Sequence, residues 1–443
     1  MILRWWAWRL IVVAMVTAHL APCRGVDATP GFLSTTLINN VVVHPATGRL
    51  YVGAINNLYQ LSADLELESS YVTGPKLDNR QCTPPVTTVS CKDAKETPNY
   101  NKLLLLHPAK NQLVVCGSLF RGLCSLRSLD SVQDEVYFND NKGEKSYVAS
   151  ADETVSVVGV MSYYKKNNEN LTVAKGHSSL DNMKLISTRV LEEEGDWDVF
   201  ENIIETAAVQ SNPFNVKYAH DFRFSFKSNG FVYFLFSRKL NSHNHKNFTF
   251  ISRICEEDHN YYSYTELQLN CSAGNEFSKV LVRRTSRSGC LLLRILFLLL
   301  FSGMYPLKFI DAQIYKVIDA CYNHGGLINN QLAVYSPYST SNSKPEELSE
   351  HLPSPLASKA EFALVAEPSW THGRHLTAVA VAVEMDHAVA FLGTVDGQVY
   401  GQPLSSTSRH KVNKNLLFDS SLQHLYITTD KKVGRPGRSR RRR

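Results

Sequence analysis

Residue types that could hydrolyse a substrate are present in this chain, but not at the spacings that such chemistry needs. Residues 176–179 read Gly-His-Ser-Ser and lack the second glycine of the Gly-x-Ser-x-Gly turn that exposes a nucleophilic serine. Three glutamates at 192–194, with Asp196 beyond them, form a charge run typical of a solvent-exposed face. No glycine-rich phosphate loop followed by Lys-Ser or Lys-Thr occurs. The sequence therefore predicts no catalytic or cofactor-binding residues, no cofactor and no enzyme.

Metal binding is not expected either. The histidines at 243 and 245 stand beside Lys246 and an asparagine acceptor, which is a context typical of a solvated loop. None of the nine cysteines forms a Cys-x-x-Cys pair, and none is followed by paired histidines at zinc spacing.

The cysteines instead predict disulfide clamps. Cys82 and Cys91 flank a short proline-rich loop, and Cys116 and Cys124 flank Gly-Ser-Leu-Phe-Arg-Gly-Leu. Loops this short between strands suit disulfides that fix neighbouring turns. We therefore expect these four residues to be oxidised, which requires an oxidising compartment.

Two further features predict the secretory route. Residues 1–25 combine Arg4 and Arg9 with a short apolar run and small residues, as in a signal peptide, and the run is too short to span a bilayer. Glycosylation triplets begin at Asn170, Asn247 and Asn270. We expect this chain, as written without a membrane helix, to be secreted or retained in that route.

The net charge of +6 is misleading because arginines are concentrated at the two ends. Residues 434–443 contain six arginines, and three more lie in the leader. The body between them is slightly acidic, so its charge does not favour a nucleic-acid partner. An Arg-rich tail suits nuclear targeting or phosphate binding, but a signal peptide contradicts a nuclear address, and a misread exon end is the alternative.

A recurring strand pattern indicates the architecture. His44 to Gly53 reads as a turn followed by a strand, and His107 to Gly117 repeats it; similar units occur at 376–400 and 414–432. Such units cannot bury their own faces and need neighbours like themselves. The pattern predicts an all-β, seven-bladed β-propeller over residues 31–433. Two β-sandwiches in tandem are the alternative.

Several motifs resemble, in order, the sema domain of plexins, the cell-surface receptors for semaphorins, and B-type plexins above all. They are Val43 to Cys91, Gly143 to Ser150, Arg253 to Asp258, Ile318 to Tyr322, Ser349 to Leu356 and Phe391 to Thr394. The resemblance implies a propeller that binds semaphorins at the outer face of the plasma membrane, with plexins or co-receptors as further partners. It also implies signalling in cell guidance, adhesion and migration, with no small-molecule substrate. An extracellular propeller hydrolase and a non-functional gene-model fragment are the alternatives.

The chain departs from this family in three places. Residues 280–303 contain an apolar run too long for one strand, and we interpret them as an atypical insert. By family pairing, Cys255, Cys271 and Cys321 each lack a partner, and Cys290 in the insert could rescue one of them. Beyond Val433 the family has a closing strand, whereas residues 434–443 form a non-family tail. An incompletely closed ring is therefore expected.

Overall fold

The structure, a computed structural model, consists mainly of short antiparallel sheets. The residues it describes are 31–164, 168–178, 181, 184–192, 198–202, 209–210, 220–240, 246–258, 260–271, 278–280, 295–297, 301–303, 305–336, 356–366, 368–371, 376–384, 387–399, 402–403 and 411–435. The predicted signal peptide, Cys290 and the histidines at 243 and 245 lie outside these ranges.

The first three sheets, which we call blades 1 to 3, each contain four strands that pair in chain order. Blade 1 is preceded by a separate strand and followed by a two-stranded ribbon. The strands are β1 (Gly31–Leu33); β2 (Ile38–Val43), β3 (Leu50–Ala54), β4 (Asn57–Leu61) and β5 (Leu67–Val72) of blade 1; β6 (Lys76–Asp78) and β7 (Lys95–Thr97) of the ribbon; β8 (Leu103–His107), β9 (Gln112–Cys116), β10 (Cys124–Ser128) and β11 (Glu135–Tyr137) of blade 2; and β12 (Val157–Tyr164), β13 (Asn168–Lys175), β14 (Lys184–Val190) and β15 (Val209–Gln210) of blade 3.

Blade 5 follows blade 4, and an insertion that carries a helix lies between the third and the fourth strand of blade 5. The elements are β16 (Asp221–Ser228), β17 (Phe231–Lys239), β18 (Asn247–Cys255) and β19 (Thr265–Cys271) of blade 4; β20 (Ser278–Val280), β21 (Ile295–Phe297) and β22 (Phe301–Gly303) of blade 5; α1 (Leu307–Asn323), β23 (Leu327–Ile328), β24 (Gln331–Leu332), β25 (Val334–Tyr335), β26 (Leu356–Ser358) and β27 (Leu364–Ala366) of the insertion; and β28 (Pro368–Thr371), which completes blade 5.

Among the described residues, the last two blades complete six four-stranded sheets and the sheet of blade 4, which β25, β26 and β27 extend to seven strands. They consist of β29 (Leu376–Glu384), β30 (His387–Thr394), β31 (Gln398–Val399) and β32 (Gln402–Pro403) of blade 6, and β33 (Leu416–Phe418), β34 (Leu425–Thr428) and β35 (Lys432–Gly434) of blade 7. The first strands of successive blades lie side by side from blade 1 to blade 4, and those of blades 6, 7 and 1 do so as well. This radial order confirms the predicted propeller and is incompatible with two β-sandwiches.

The last blade is completed by the first strand of the structure. β1 pairs antiparallel with β35, so that Gly31 lies opposite Gly434 and Leu33 opposite Lys432. This pairing corrects the expectation that no strand closes the sheet after Val433, because a strand from the start of the propeller occupies that position. The domain limit expected between residues 433 and 434 also falls inside β35. Arg435 continues onto blade 1, where its guanidinium lies 2.7 Å from a carboxylate oxygen of Asp64.

The predicted insert at 280–303 supplies strands to blade 5. Its apolar run is too long for one strand. The structure places two short strands in this region, β21 and β22, which pair with each other. β20 pairs with β21, and β22 pairs with β28. The described residues of this segment thus take part in blade 5, and its atypical character stays a prediction.

Blade 4 shows why strands in this fold are apolar on both faces. Along β17, Val232, Phe234 and Phe236 pack towards blade 3, whereas Tyr233 and Leu235 pack towards α1. Successive side chains of a strand point to opposite faces, and here both faces are covered. The helix contributes Ile310 and Ile314 to the second cluster. A blade between two neighbours therefore needs continuous hydrophobicity rather than alternation.

A glycine contact joins blade 1 to blade 2. A Cβ atom added to Gly53 in β3 would lie 2.3 Å from Cγ of Asn101, just before β8. The Asn101 side chain is fixed there because its Oδ1 accepts a 2.8 Å hydrogen bond from Asn40 in β2. Gly393 in β30 makes an equivalent close approach to Val412, just before blade 7. The glycines of the repeats thus leave room for the segment that enters the next blade.

We expect Gly53→Ala to lower the free energy of unfolding by about 1–3 kcal/mol, because the added methyl group must displace Asn101. Gly434→Ala is the matched control: a Cβ there meets no atom within 4 Å, and we expect a change below about 0.5 kcal/mol. Urea unfolding followed by circular dichroism measures both. Equal effects of the two substitutions would contradict the proposed contact.

Candidate functional site

A disulfide-bounded loop projects from blade 2 beside blade 1. Cys116 in β9 and Cys124 in β10 lie directly opposite each other, with their Cα atoms 4.0 Å apart, and a disulfide joins them. Between them Phe120 and Arg121 have φ values of 53° and 64°. Side chains other than glycine rarely adopt this left-handed region, and such backbone persists only where the surroundings hold it.

A buried aspartate from the β6–β7 ribbon holds the loop in this conformation. The backbone N–H of Phe120 donates a 2.9 Å hydrogen bond to Oδ2 of Asp78, whose side chain is almost fully buried. Burial raises the pKa of the Asp78 carboxyl, and the hydrogen bond from Phe120 only partly opposes that rise. The hydroxyl of Thr97 donates to the Asp78 carbonyl and fixes the ribbon itself.

The loop and the ribbon form one wall of a small cleft between blades 1 and 2. Lys76 Nζ lies 6.0 Å from the ring centre of Phe120 and 5.8 Å from that of Phe138, which is 36% exposed. On the other side, the Arg127 guanidinium lies 3.5 Å from the ring centre of Tyr71. An Arg127 nitrogen also lies 2.6 Å from a Glu135 oxygen. The cleft therefore presents aromatic and cationic groups whose positions are fixed by their neighbours.

The size of this cleft favours a protein contact. Its interior of about 60 Å³ is far below the 300–1,000 Å³ of pockets that enclose small molecules. Fixed aromatic and arginine groups are residue types that often anchor protein interfaces.

The four predicted clamp cysteines are joined as the sequence suggested. Besides the Cys116–Cys124 bond, Cys82 and Cys91 form a disulfide with Cα atoms 6.0 Å apart. Arg80, just before Cys82, forms an ion pair with Glu153 in the segment that leads into blade 3.

Three of the remaining predicted cysteines lie in β18, β19 and α1. Cys255 ends β18 and Cys321 lies near the end of α1; both are free thiols, and burial raises the pKa of the Cys321 thiol. Cys271 ends β19, and Cys290 is outside the described ranges. That Cys255, Cys271 and Cys321 lack their family partners, and that Cys290 could rescue one of them, stay predictions.

The three glycosylation acceptors occupy different environments. Asn170 lies in β13 between two paired strands and is 3% exposed, which differs from the expected loop. Asn270 is half-buried in β19, and its Oδ1 accepts a 2.9 Å hydrogen bond from Gln268. Asn247 is the exposed first residue of β18.

Among the described residues, the structure adds no metal-binding arrangement around the enzyme candidates of the sequence. Across the described ranges, no group of three His, Cys, Asp or Glu side chains could hold a metal ion. Glu192 is exposed and forms an ion pair with Lys110, with its oxygen 2.8 Å from Nζ. The acidic residues at 193, 194 and 196 lie outside the described residues.

Sequence reasoning missed the cleft because its members are far apart in the chain. Lys76, Phe120 and Phe138 come from a ribbon, a loop and a strand end, and only the packing of blade 1 against blade 2 brings them together. The one local signal was the short spacing between Cys116 and Cys124.

The Asp78 carboxyl predicts a pH-dependent stability. Its pKa is higher in the folded than in the unfolded chain, so its contribution to stability is greatest at low pH and declines as pH rises through the folded pKa. Asparagine removes the buried charge and still accepts from Phe120. Relative to the native chain, we expect the unfolding free energy of Asp78→Asn to rise between about pH 4 and pH 7.

Urea unfolding at several pH values measures this difference. Asp134→Asn, at an exposed position near the cleft, is the control and should show no such trend. If the difference in unfolding free energy between Asp78→Asn and the native chain does not change with pH, burial does not disfavour the charged carboxylate of Asp78.

Comparison with known proteins relates the sequence to plexins. No protein-family model matches the chain. Mouse plexin-B2 is 34% identical over 91% of this chain and 24% of its own length. Human plexin-B1 is 32% identical over 89% of this chain and 20% of its own length. The chain thus spans about a quarter of the length of the curated relatives it matches.

Solved structures share the fold. A plexin A4 extracellular region matches 93% of this chain with a TM-score of 0.77 and 22% identity, over 40% of its own chain. Drosophila plexin A in complex with semaphorin 1b matches 93% with a TM-score of 0.58 and 15% identity, over 87% of its own chain. Drosophila semaphorin 1a matches 93% with a TM-score of 0.62 and 16% identity, over 88% of its own chain. The 34% identity to plexin-B2 and this shared fold relate the chain to the sema domains of plexins, and the chain is folded as a β-propeller.

Proposed function

We propose that this chain is the extracellular ligand-binding domain of a plexin-like receptor and that its protein ligand is a semaphorin. The observation that carries the proposal is the 34% identity to plexin-B2 over nine-tenths of the chain. A second observation supports the ligand class, since the Drosophila plexin A that shares this fold is in complex with semaphorin 1b. Signalling in guidance, adhesion and migration would follow from the receptor as a whole.

The cleft between blades 1 and 2 is the surface we propose for part of this contact. The backbone of Phe120 is held by the Asp78 hydrogen bond, and the ring of Phe138 lies against Phe120 and Lys76. A group that is ordered before binding loses little side-chain entropy on binding, so more of its contact energy appears as affinity. Phe138 is thus the proposed anchor.

We expect Phe138→Ser to weaken semaphorin binding about tenfold or more, as loss of an interface anchor does. Val136→Ser is the matched control, because Val136 is 50% exposed on β11, which ends just before Phe138, but does not line the cleft. Both variants, secreted from animal cells, are compared with the native chain by surface plasmon resonance against a panel of semaphorin ectodomains. Binding by the native chain that is unaffected by Phe138→Ser would move the contact away from the cleft. Failure of the folded native chain to bind any member would refute the proposed ligand.

No observation favours the hydrolase alternative, and we propose a binding domain without enzymatic activity. Metal ligands or carboxylates converging on the propeller axis would support a hydrolase, but the described residues hold no such metal-binding group. We propose semaphorin, together with plexin or co-receptor partners, and neither a nucleic acid nor a small molecule.

We also propose an extracellular location, which fits both disulfides. In the part of the chain that the structure describes, no helix is long and apolar enough to cross a membrane. Any glycan must project from the folded surface, and of the three acceptors only Asn247 is exposed.

We expect Asn247→Gln to remove an N-linked glycan from the secreted chain. Asn170→Gln is the matched control and should leave the glycan mass unchanged, because a glycan on the buried Asn170 would separate β13 from its neighbours. Intact mass before and after peptide N-glycosidase treatment measures both. A glycan lost in Asn170→Gln would contradict the placement of that strand.

A further inference from the structure

Near the propeller axis lies a lysine whose amine has no partner. Lys414 lies just before β33, the first strand of blade 7, and the first strands of the blades surround the axis. Its side chain is exposed. Throughout the part of the chain that the structure describes, no residue forms a hydrogen bond or an ion pair with its amine. The three N–H donors of this ammonium group are therefore open to a ligand.

A second cation approaches Lys414 from the opposite side of the ring. Arg223 and Asp221 lie in β16, the first strand of blade 4, and their side chains are 38% and 40% exposed. Both act electrostatically on the Lys414 amine, although blades 4 and 7 are three places apart in a ring of seven. Only the central channel brings side chains of such distant blades close together.

The electrostatic field at the Lys414 amine is positive. Arg223 lowers the pKa of Lys414 more than Asp221 raises it, so this pair acts there as a net cation. Lys102 of blade 2 is also near, since the charge of Lys414 lowers its pKa. The Lys102 amine already donates to three backbone carbonyls and contributes only its charge. Cations that converge in a confined space favour an anion.

The surroundings of Lys414 are those of a recess. Desolvation is the largest cause that lowers its pKa, to about 8, although its side chain still reaches solvent. An amine that is both accessible and enclosed by protein lines a channel rather than an outer surface. Because a pKa of about 8 lies above neutral pH, most of the Lys414 side chains carry a charge at pH 7.

We propose that a tetrahedral oxyanion, phosphate or sulfate, binds in the channel between Lys414 and Arg223. In Arg223, Nε and one terminal nitrogen donate to Asp221, which leaves the other terminal NH2 group for the anion. Arginine and lysine are the side chains that proteins use to bind such groups. A bound ion connects blade 4 to blade 7 and so stabilises the closed ring.

The positions of the donors favour a tetrahedral ion over other anions. Lys414 and Arg223 approach from opposite sides of the channel, so the ligand must present acceptor atoms in opposite directions. The four oxygens of phosphate or sulfate do so, whereas both oxygens of a carboxylate lie on the same side of its carbon. Free ions and sulfated sugars present the same oxyanion, and the binding experiment compares these two sources.

Thermal unfolding of the full secreted chain tests whether an oxyanion binds. At constant ionic strength, we expect phosphate to raise the melting temperature by about 2 °C or more and the rise to saturate, because the ion binds only the folded chain. General stabilisation by phosphate or sulfate acts through exclusion from the protein surface, so it does not saturate. A rise that is linear in phosphate and equal in the native chain and Lys414→Gln would overturn the proposal.

Isothermal titration calorimetry with inorganic phosphate tests the residue. We expect Lys414→Gln to weaken binding about tenfold or more, as loss of a charged hydrogen bond does, and Lys414→Arg to retain it. Lys316→Gln is the matched control, because it removes the same charge at an exposed position on α1 and should leave the affinity unchanged. Circular dichroism verifies that each variant is folded.

Two results of the titrations would refute the site. One is a native chain that binds neither phosphate nor sulfate with saturation, and the other is equal binding by the native chain and Lys414→Gln. A sulfated disaccharide, titrated beside inorganic sulfate, identifies the source of the anion: tighter binding of either supports the site and assigns it to a sugar sulfate or to a free ion. These readouts need no semaphorin, so they are independent of the proposed ligand.

Discussion

The structure depends on the pairing of β1 with β35, because a propeller blade is stable only between two neighbours. Both faces of β17 are apolar, one packed on blade 3 and the other on α1, and a ring gives each blade a neighbour on both sides. Three residue pairs at this seam connect the two ends of the propeller. Arg435 strengthens the seam, since it donates to the carbonyl of Ala63 in blade 1. Clusters such as the one that joins blade 7 to blade 1 rely on this connection.

Buried charges fix the irregular segments that link the blades. Arg238 and Glu266 are fully buried in blade 4, and Arg238 also donates to the Tyr335 hydroxyl, which attaches the insertion to the blade edge. Lys102 donates to three backbone carbonyls between residues 152 and 155, and burial lowers its pKa to about 8. A buried charge is tolerated only when its hydrogen-bonding capacity is met. Each of these groups therefore helps to hold a connecting segment against its blade.

Aromatic side chains near the surface are rigidly supported at two places. At the cleft, a buried carboxylate and a disulfide hold Phe120 in a backbone conformation that is unfavourable by itself. On α1, an arginine between two rings and a carboxylate hold Tyr315 on the surface. In both cases the scaffold loses the conformational entropy during folding, so a partner does not have to order the group on binding. Such sites suit recognition of proteins by a propeller surface.

Much of the fold was readable from local patterns, because strands, turns and short-range disulfides depend on residues close in the chain. The turn before Leu50, the repeat at His107 and the Cys116–Cys124 clamp all required only local spacing. Tertiary structure alone decided three other features. β1 closes the ring across some 400 residues of sequence, β21 and β22 take part in blade 5, and Asn170 is buried although its triplet is that of a surface loop. Strand partners, burial and the cleft depend on which blades pack together, and contacts between distant segments leave no fixed spacing in a single sequence.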